Sequence, residues 1–249
     1  MIVIRSRRCS SAALVSLLGA SSMAMAQSQT DDATTLEALE VVSDAITAPD
    51  YIPLEKTPAV GKLNVPVEEQ PYSVSIVDRS FIEDFGAKNI QDALLYTPGV
   101  YAGNFGFDTR IDSAKVRGVD AGRYLDGLRQ IYGSYNTVRT NVYALESIEV
   151  LKGPSSMLYG QSDLGGIING VSKLPEEEQG GEIWAQYGTF NHKQLAVDVT
   201  GPVNESGDLL YRLIALGRDS DTQVDYVEDD GYVLSPSLTW RATDDTSIT

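Results

Sequence analysis

The sequence predicts a small α+β domain followed by a run of antiparallel strands that alternate as membrane-barrel strands do. Three observations carry this. Residues 72–175 mix short β-branched runs with capped helical stretches and are punctuated by glycine. Residues 181–249 alternate apolar and polar side chains with a period of two over successive segments. The chain has 249 residues, of which 42% are apolar and 22 are glycine. That is enough for one or two cored domains and is not the composition of a disordered tail.

Charge and rare residues exclude several function classes. The net charge of −16 argues against nucleic acid, which calls for a basic stripe. One cysteine cannot form an internal disulfide, and one histidine cannot build a His-rich metal site. After the first segment no run of about 18 apolar residues occurs, which excludes a helical span. His192 has no nucleophile signature near it, and the glycine-bracketed run from Gly153 to Gly160 lacks the Lys-Ser/Thr of a phosphate loop. The acidic runs Glu176-Glu177-Glu178 and Glu228-Asp229-Asp230 lack the alternating spacing of a calcium loop and read as solvated charge. No enzyme is expected, nor any cofactor.

Residues 1–26 read as an export signal. Arg5, Arg7 and Arg8 form a basic head, residues 12–20 an apolar stretch, and Ala24-Met25-Ala26 a cleavage site. The mature chain then starts at Gln27, and Cys9 leaves with the signal. Residues 27–69 read as a mobile arm, because Pro49, Pro53, Pro58 and Pro66 recur along it and fix an extended backbone. Inside the arm sits an apolar island around Leu39, Val41 and Val42. It is either a frayed first strand or a peptide that adds as a strand to another protein's sheet edge.

Residues 70–178 read as the compact domain. The run 74–77 alternates like a strand. Asp78 is placed to cap a helix through Phe85, with Gly86 as its stop, and Asn89 to cap a second helix over 90–96. Lys115-Val116-Arg117 reads as a short strand. Asp126-Gly127 suits the type I′ turn of a hairpin over 124–129. Asn141 is predicted to start a third helix through Leu145. A strand over 147–151, a helical turn begun by Pro154 and closed by Gly160, and a buried strand over 167–171 complete the domain.

Residues 179–249 read as four strands with a fifth beginning near Thr246. The fourth carries Tyr232, Leu234, Leu238 and Trp240 on one face, with an aromatic at each end. Lipid-facing barrel strands have this pattern, and a soluble β-sandwich also alternates. In the third strand Tyr211, Leu213 and Ala215 share one face, while the other carries Arg212 together with Ile214 and Leu216 and is ambiguous.

An ordered set of motifs resembles the plug of TonB-dependent receptors. It runs through Gln70-Pro71-Tyr72-Ser73-Val74-Ser75-Ile76-Val77, Asp92-Ala93-Leu94, Tyr96-Thr97-Pro98-Gly99-Val100 and Val116-Arg117-Gly118. It continues through Tyr124-Leu125-Asp126-Gly127-Leu128, Ile148-Glu149-Val150-Leu151-Lys152-Gly153-Pro154, Leu158-Tyr159-Gly160 and Gly165-Gly166-Ile167-Ile168-Asn169. No piece is specific alone; the order is. Ferric-siderophore receptors of the ferrichrome and pyoverdine type are the nearest in pattern.

The resemblance implies an α+β plug domain with a small mixed sheet, then the first antiparallel strands of a transmembrane β-barrel. It implies ferric siderophore uptake across the Gram-negative outer membrane, with TonB and its inner-membrane energising complex as partner and outer-membrane lipid around the barrel. Leu39, Glu40, Val41, Val42 and Ser43 match the TonB-box position. Phe105, Phe107, Arg110, Tyr132 and Tyr135 fall in the plug-apex loops that hold ligand in the family. Phe105 stands where ferrichrome-type receptors have a basic contact residue. Arg117 and Lys152 match plug cations that pair with barrel glutamates, with Lys152 in place of the usual arginine. The other readings are a receptor for cobalamin, haem or glycan, and a plug-like periplasmic binding module. About four strands cannot close a barrel, so the sequence is expected to be part of a longer receptor.

Overall fold

The computed structural model describes residues 59–62, 67–131, 138–161, 163–243 and 246–249. The export signal, most of the arm with residues 39–43, and Tyr132 and Tyr135 lie outside the described residues.

Local chemistry sets the first elements. Strand β1 (Ser73–Asp78) ends at Asp78, whose carboxylate accepts the Phe81 N–H at 2.9 Å and caps helix α1 (Arg79–Phe85). Gly86, at φ 68°, ends that helix. Asn89 caps α2 (Ile90–Ala93) by accepting the Asp92 N–H at 2.8 Å. This second helix is a single turn, shorter than the expected 90–96. Pro98 disfavours helical backbone at Thr97, and the chain leaves through successive tight turns to Val100.

A small sheet follows, built of β2 (Val100–Ala102), β3 (Ala114–Val116) and β4 (Val119–Asp120) in that order. Arg117 does not extend β3 as expected. It takes φ 54° and, with Gly118 at φ 80°, turns the chain into β4. The hairpin of β5 (Gly122–Leu125) and β6 (Leu128–Arg129) turns at Asp126 and Gly127, both at positive φ, as a type I′ turn requires.

Asn141 caps only a 3-10 turn, Val142–Ala144, and not a helix through Leu145. Leu145 is already extended, because it opens strand β7 (Leu145–Lys152), whose buried side chains pack in the sheet. Pro154 stands just before the short helix α3 (Ser156–Tyr159) and outside its first turn, and Gly160 closes it at φ 66°. Strand β8 (Gly166–Ser172) is buried over most of its length.

These strands form a mixed sheet in the order β1-β7-β8-β5-β6, in which only β5 and β8 run parallel. One face carries Val77, Ile148, Val150 and Ile168 beneath Ile82, Leu94 and Val116. The other carries Leu151, Ile167 and Tyr124 beneath Val60. There the Val60 N–H donates to the Glu149 carboxylate at 2.7 Å, and its carbonyl accepts the Tyr159 hydroxyl at 2.9 Å. The Gly165-Gly166 pair permits the close approach of backbones. A Cβ on Gly166 would collide with the Leu151 carbonyl, and one on Gly165 would lie 2.6 Å from the Asp120 carbonyl.

The second part is an antiparallel wall of β9 (Gly180–Tyr187), β10 (Lys193–Pro202), β11 (Leu209–Asp219), β12 (Gly231–Thr243) and β13 (Thr246–Ile248). Its outward face exposes Ile183, Tyr187, Leu195, Leu213, Tyr232, Leu234, Leu238 and Trp240. Its inward face turns to the α+β domain. Ala196, Ile214 and Leu216 pack with Tyr143, with Trp184 and Val233 at the margin. This resolves the ambiguous side of β11: Ile214 and Leu216 lie inward with Arg212, dry against the domain. The wall does not close on itself, and β9 and β13 are its edges among the described residues.

Candidate functional site

Helix α2 shapes the end of the domain that carries residues 101–113. Gln91 donates from Nε2 to the Gly106 carbonyl at 3.3 Å and accepts the Ser113 N–H at 3.2 Å. Gly103, at φ 71°, donates its N–H to the Ser113 carbonyl at 2.8 Å. The loop so braced presents Phe105, 73% exposed, and Phe107, 48% exposed. Phe105 lines a cavity of about 610 Å³ with Asn104, Arg123, Arg129, Asp120 and Asp163. The size suits a compact organic ligand, and the lining offers an aromatic face and both signs of charge.

Arg110 is already engaged. Its Nη2 and Nε lie 2.8 and 3.0 Å from the two carboxylate oxygens of Asp108, whose carboxyl this contact holds below its ordinary range. An anionic ligand would have to compete with Asp108 for it. Tyr132 and Tyr135, predicted beside this loop, lie outside the described residues.

A second arginine, absent from the sequence-predicted set, ties this loop to the wall. Arg139 donates to Asp112 at 2.8 Å, to the Thr109 carbonyl at 3.4 Å, and to Asp229 at 3.3 Å. Asp229 belongs to the connection between β11 and β12 and also accepts Arg218 at 3.0 Å. The neighbouring connection, between β9 and β10, joins this group. His192 is buried between Ser220 at 3.1 Å and Gln186 at 3.0 Å, and burial pushes its imidazole below its ordinary pKa.

Arg117 and Lys152, expected to pair with barrel glutamates, lie close enough for their charges to interact. Burial, and after it the Arg117 charge, pushes the Lys152 ammonium down, and Lys152 donates to Ser75 at 2.6 Å. Neither has an ion-pair partner among the described residues.

At the domain's exit the chain is sewn to the wall. Lys173, just past β8, is buried, lies 2.7 Å from Asp198, and stands 4.5 Å above the Tyr143 ring. Arg212 grips both oxygens of Asp198 at 2.8 Å, the Leu174 carbonyl at 2.7 Å and Glu176 at 3.0 Å. Burial, then the nearby Arg79, lowers the Lys173 pKa, and Asp198 opposes this. Tyr143 stacks on Trp184 with ring centroids 5.6 Å apart. The sequence held one signal for this joint: Arg212, a charge on the same face of its strand as Ile214 and Leu216. Among the described residues no cluster of three or more metal-ligating side chains occurs.

Residues 66–167 match the family model of the TonB-dependent receptor plug domain. The chain carries the plug domain of a TonB-dependent receptor. The ferrioxamine B receptor of Salmonella typhimurium is 39% identical over 193 residues, which are 75% of this chain and 28% of that protein. The ferrichrome outer membrane transporter/phage receptor of Escherichia coli is 32% identical over 225 residues, 88% of this chain and 30% of that one. Among solved structures, the ferripyoverdine receptor of the outer membrane of Pseudomonas aeruginosa superposes with a TM-score of 0.70 at 29% identity, covering 77% of this chain and 26% of that one. The chain therefore spans under a third of the length of these relatives. Its plug fills the inward face of the wall, and the likeness extends from one into the other.

Proposed function

We propose that this chain forms the plug and first barrel strands of an outer-membrane receptor that takes up ferric siderophore under the drive of TonB. One observation carries the reading furthest. The wall is apolar where it faces outward and is bonded to the plug where it faces inward, with Tyr232 and Trp240 toward opposite ends of the outward band. A soluble sandwich would bury that outward band. The relatives named for ferrioxamine, ferrichrome and ferripyoverdine support a ferric siderophore over cobalamin, haem or glycan.

Orientation follows from connection length. The turns after β10 and β12 are short, and that after β11 is long and acidic, so the latter faces outside. Arg139 then marks the external end of the plug, with Phe105, Phe107 and Arg110 beside it and Tyr132 and Tyr135 close in sequence. Arg117 and Lys152 await carboxylates from further barrel strands. Residues 1–26 direct export, and residues 39–43 pair with TonB as an added strand, reached through the proline-rich arm.

The test is a chimaera in which this chain is continued by the remaining barrel of the Salmonella ferrioxamine B receptor, in a strain lacking its own siderophore receptors. Uptake of labelled ferric hydroxamate is expected, and replacing Val41 and Val42 with proline is expected to abolish it. Uptake that survives those prolines would remove the TonB-box assignment. Uptake of cobalamin, haem or glycan with no ferric chelate would remove the siderophore.

A further inference from the structure

We propose that Arg139 is a positioning residue that clamps the connection between β11 and β12 onto the plug apex, so that loop and apex move as one surface. The clamp stands on geometry alone; that this surface meets a ferric chelate rests on the receptor reading.

Asp112 is 3% exposed and its Oδ1 lies 2.8 Å from Arg139, while its Oδ2 is buried with no hydrogen-bond partner among the described residues. A buried carboxylate in that state holds its cation firmly, because losing it leaves charge in a low-dielectric site. From that fixed point Arg139 reaches the Thr109 carbonyl, at the foot of the Phe105–Phe107 loop, and Asp229.

Asp229 is in turn fixed within its own connection. Arg218 donates to its carboxylate at 3.0 Å and to its carbonyl at 2.9 Å, and its N–H donates to the Ser220 carbonyl at 2.8 Å. Arg218 therefore secures the loop to the wall, and Arg139 secures it to the plug. The β9–β10 connection travels with it, through His192 to Ser220 and the Asp221 N–H to the Phe190 carbonyl at 2.9 Å. Only a guanidinium fork serves three acceptors spread this way; a lysine offers one compact charge.

The experiment measures the distance between spin labels at Phe107→Cys and Tyr226→Cys in the barrel-completed chimaera, in lipid, with Cys9→Ser. Tyr226 is fully exposed, so the label disturbs no packing. One narrow distance is expected. Arg139→Gln is expected to broaden it, with the docked-to-free ratio falling about tenfold, the cost of one charge-assisted bond. Arg139→Lys is expected to restore part of the narrow component, and Lys115→Met, at an exposed ion pair, to leave it intact.

Asp112→Asn, which removes the buried charge, is expected to broaden the distance even if Arg139→Gln fails to fold. Amide protection of β7 and β8 reports folding throughout. An unchanged distance in folded Arg139→Gln, or broadening by Arg218→Gln alone, would overturn the proposal. Failure of the chimaera to take up any chelate would count against the receptor reading and leave these distances to decide the clamp.

Discussion

Gly166 shows how one backbone position supports the plug. It sits at φ 118°, and a Cβ there would collide with the Leu151 carbonyl, so β7 and β8 can meet only if residue 166 has no side chain. Gly166→Ala is expected to destabilise the plug by on the order of 3 kcal/mol, seen as a lower urea midpoint with an unchanged slope. His192 gives a pH signature. Its folded pKa lies below the ordinary 6.5, so between those two values the unfolded chain binds a proton that the folded chain does not. Stability is full above 6.5 and falls as pH drops through the window. Denaturant midpoints at pH 7.5 and 5.5 are expected to show the loss, and His192→Gln to flatten this contribution.

Elements were legible where local chemistry decides them. The Asp78 and Asn89 caps, the Gly86 stop and the Asp126-Gly127 turn were all written in single residues and their neighbours. Predictions went astray where tertiary context prevailed: α2 stopped early ahead of Pro98, the Asn141 helix shrank to one 3-10 turn because β7 claimed Leu145, and Arg117 left its strand for a turn. The side of β11 with Ile214 and Leu216 could not be read alone, since its partner surface, Tyr143, is 71 residues upstream of Ile214. The outward band carries its own prediction. Leu234→Arg, near the middle of β12, is expected to cost about 2–4 kcal/mol in lipid, whereas Ser237→Arg on the inward face escapes that lipid penalty. Urea unfolding of the barrel-completed chimaera from vesicles measures both.

The whole molecule hangs on its joint. Lys173 and Arg212 share Asp198 in a nearly dry pocket between plug and wall. Asp198→Asn leaves two buried cations facing each other and is expected to cost about 3–5 kcal/mol. Amide exchange is expected to rise across residues 171–178 and β10 while α1 keeps its protection. Of this joint the sequence marks only Arg212, and of the Arg139 bridge nothing: Asp112, Arg139 and Asp229 are scattered charged residues until the fold gathers them. The apex aromatics Phe105 and Phe107 are proposed from family order and not from any local signal, since phenylalanines in a glycine-rich loop look like packing residues in a bare sequence.

The unpaired edges of the wall have a practical consequence. Among the described residues, strand β9 has no partner along one side of its eight residues and β13 none along its far side. Each is a template that accepts any extended chain, including a sibling molecule. Produced in water by itself, this polypeptide should polymerise edge to edge into ribbons. Its handling will therefore resemble that of a nascent membrane protein in need of a chaperone: soluble yield should rise with a holdase and fall steeply with concentration.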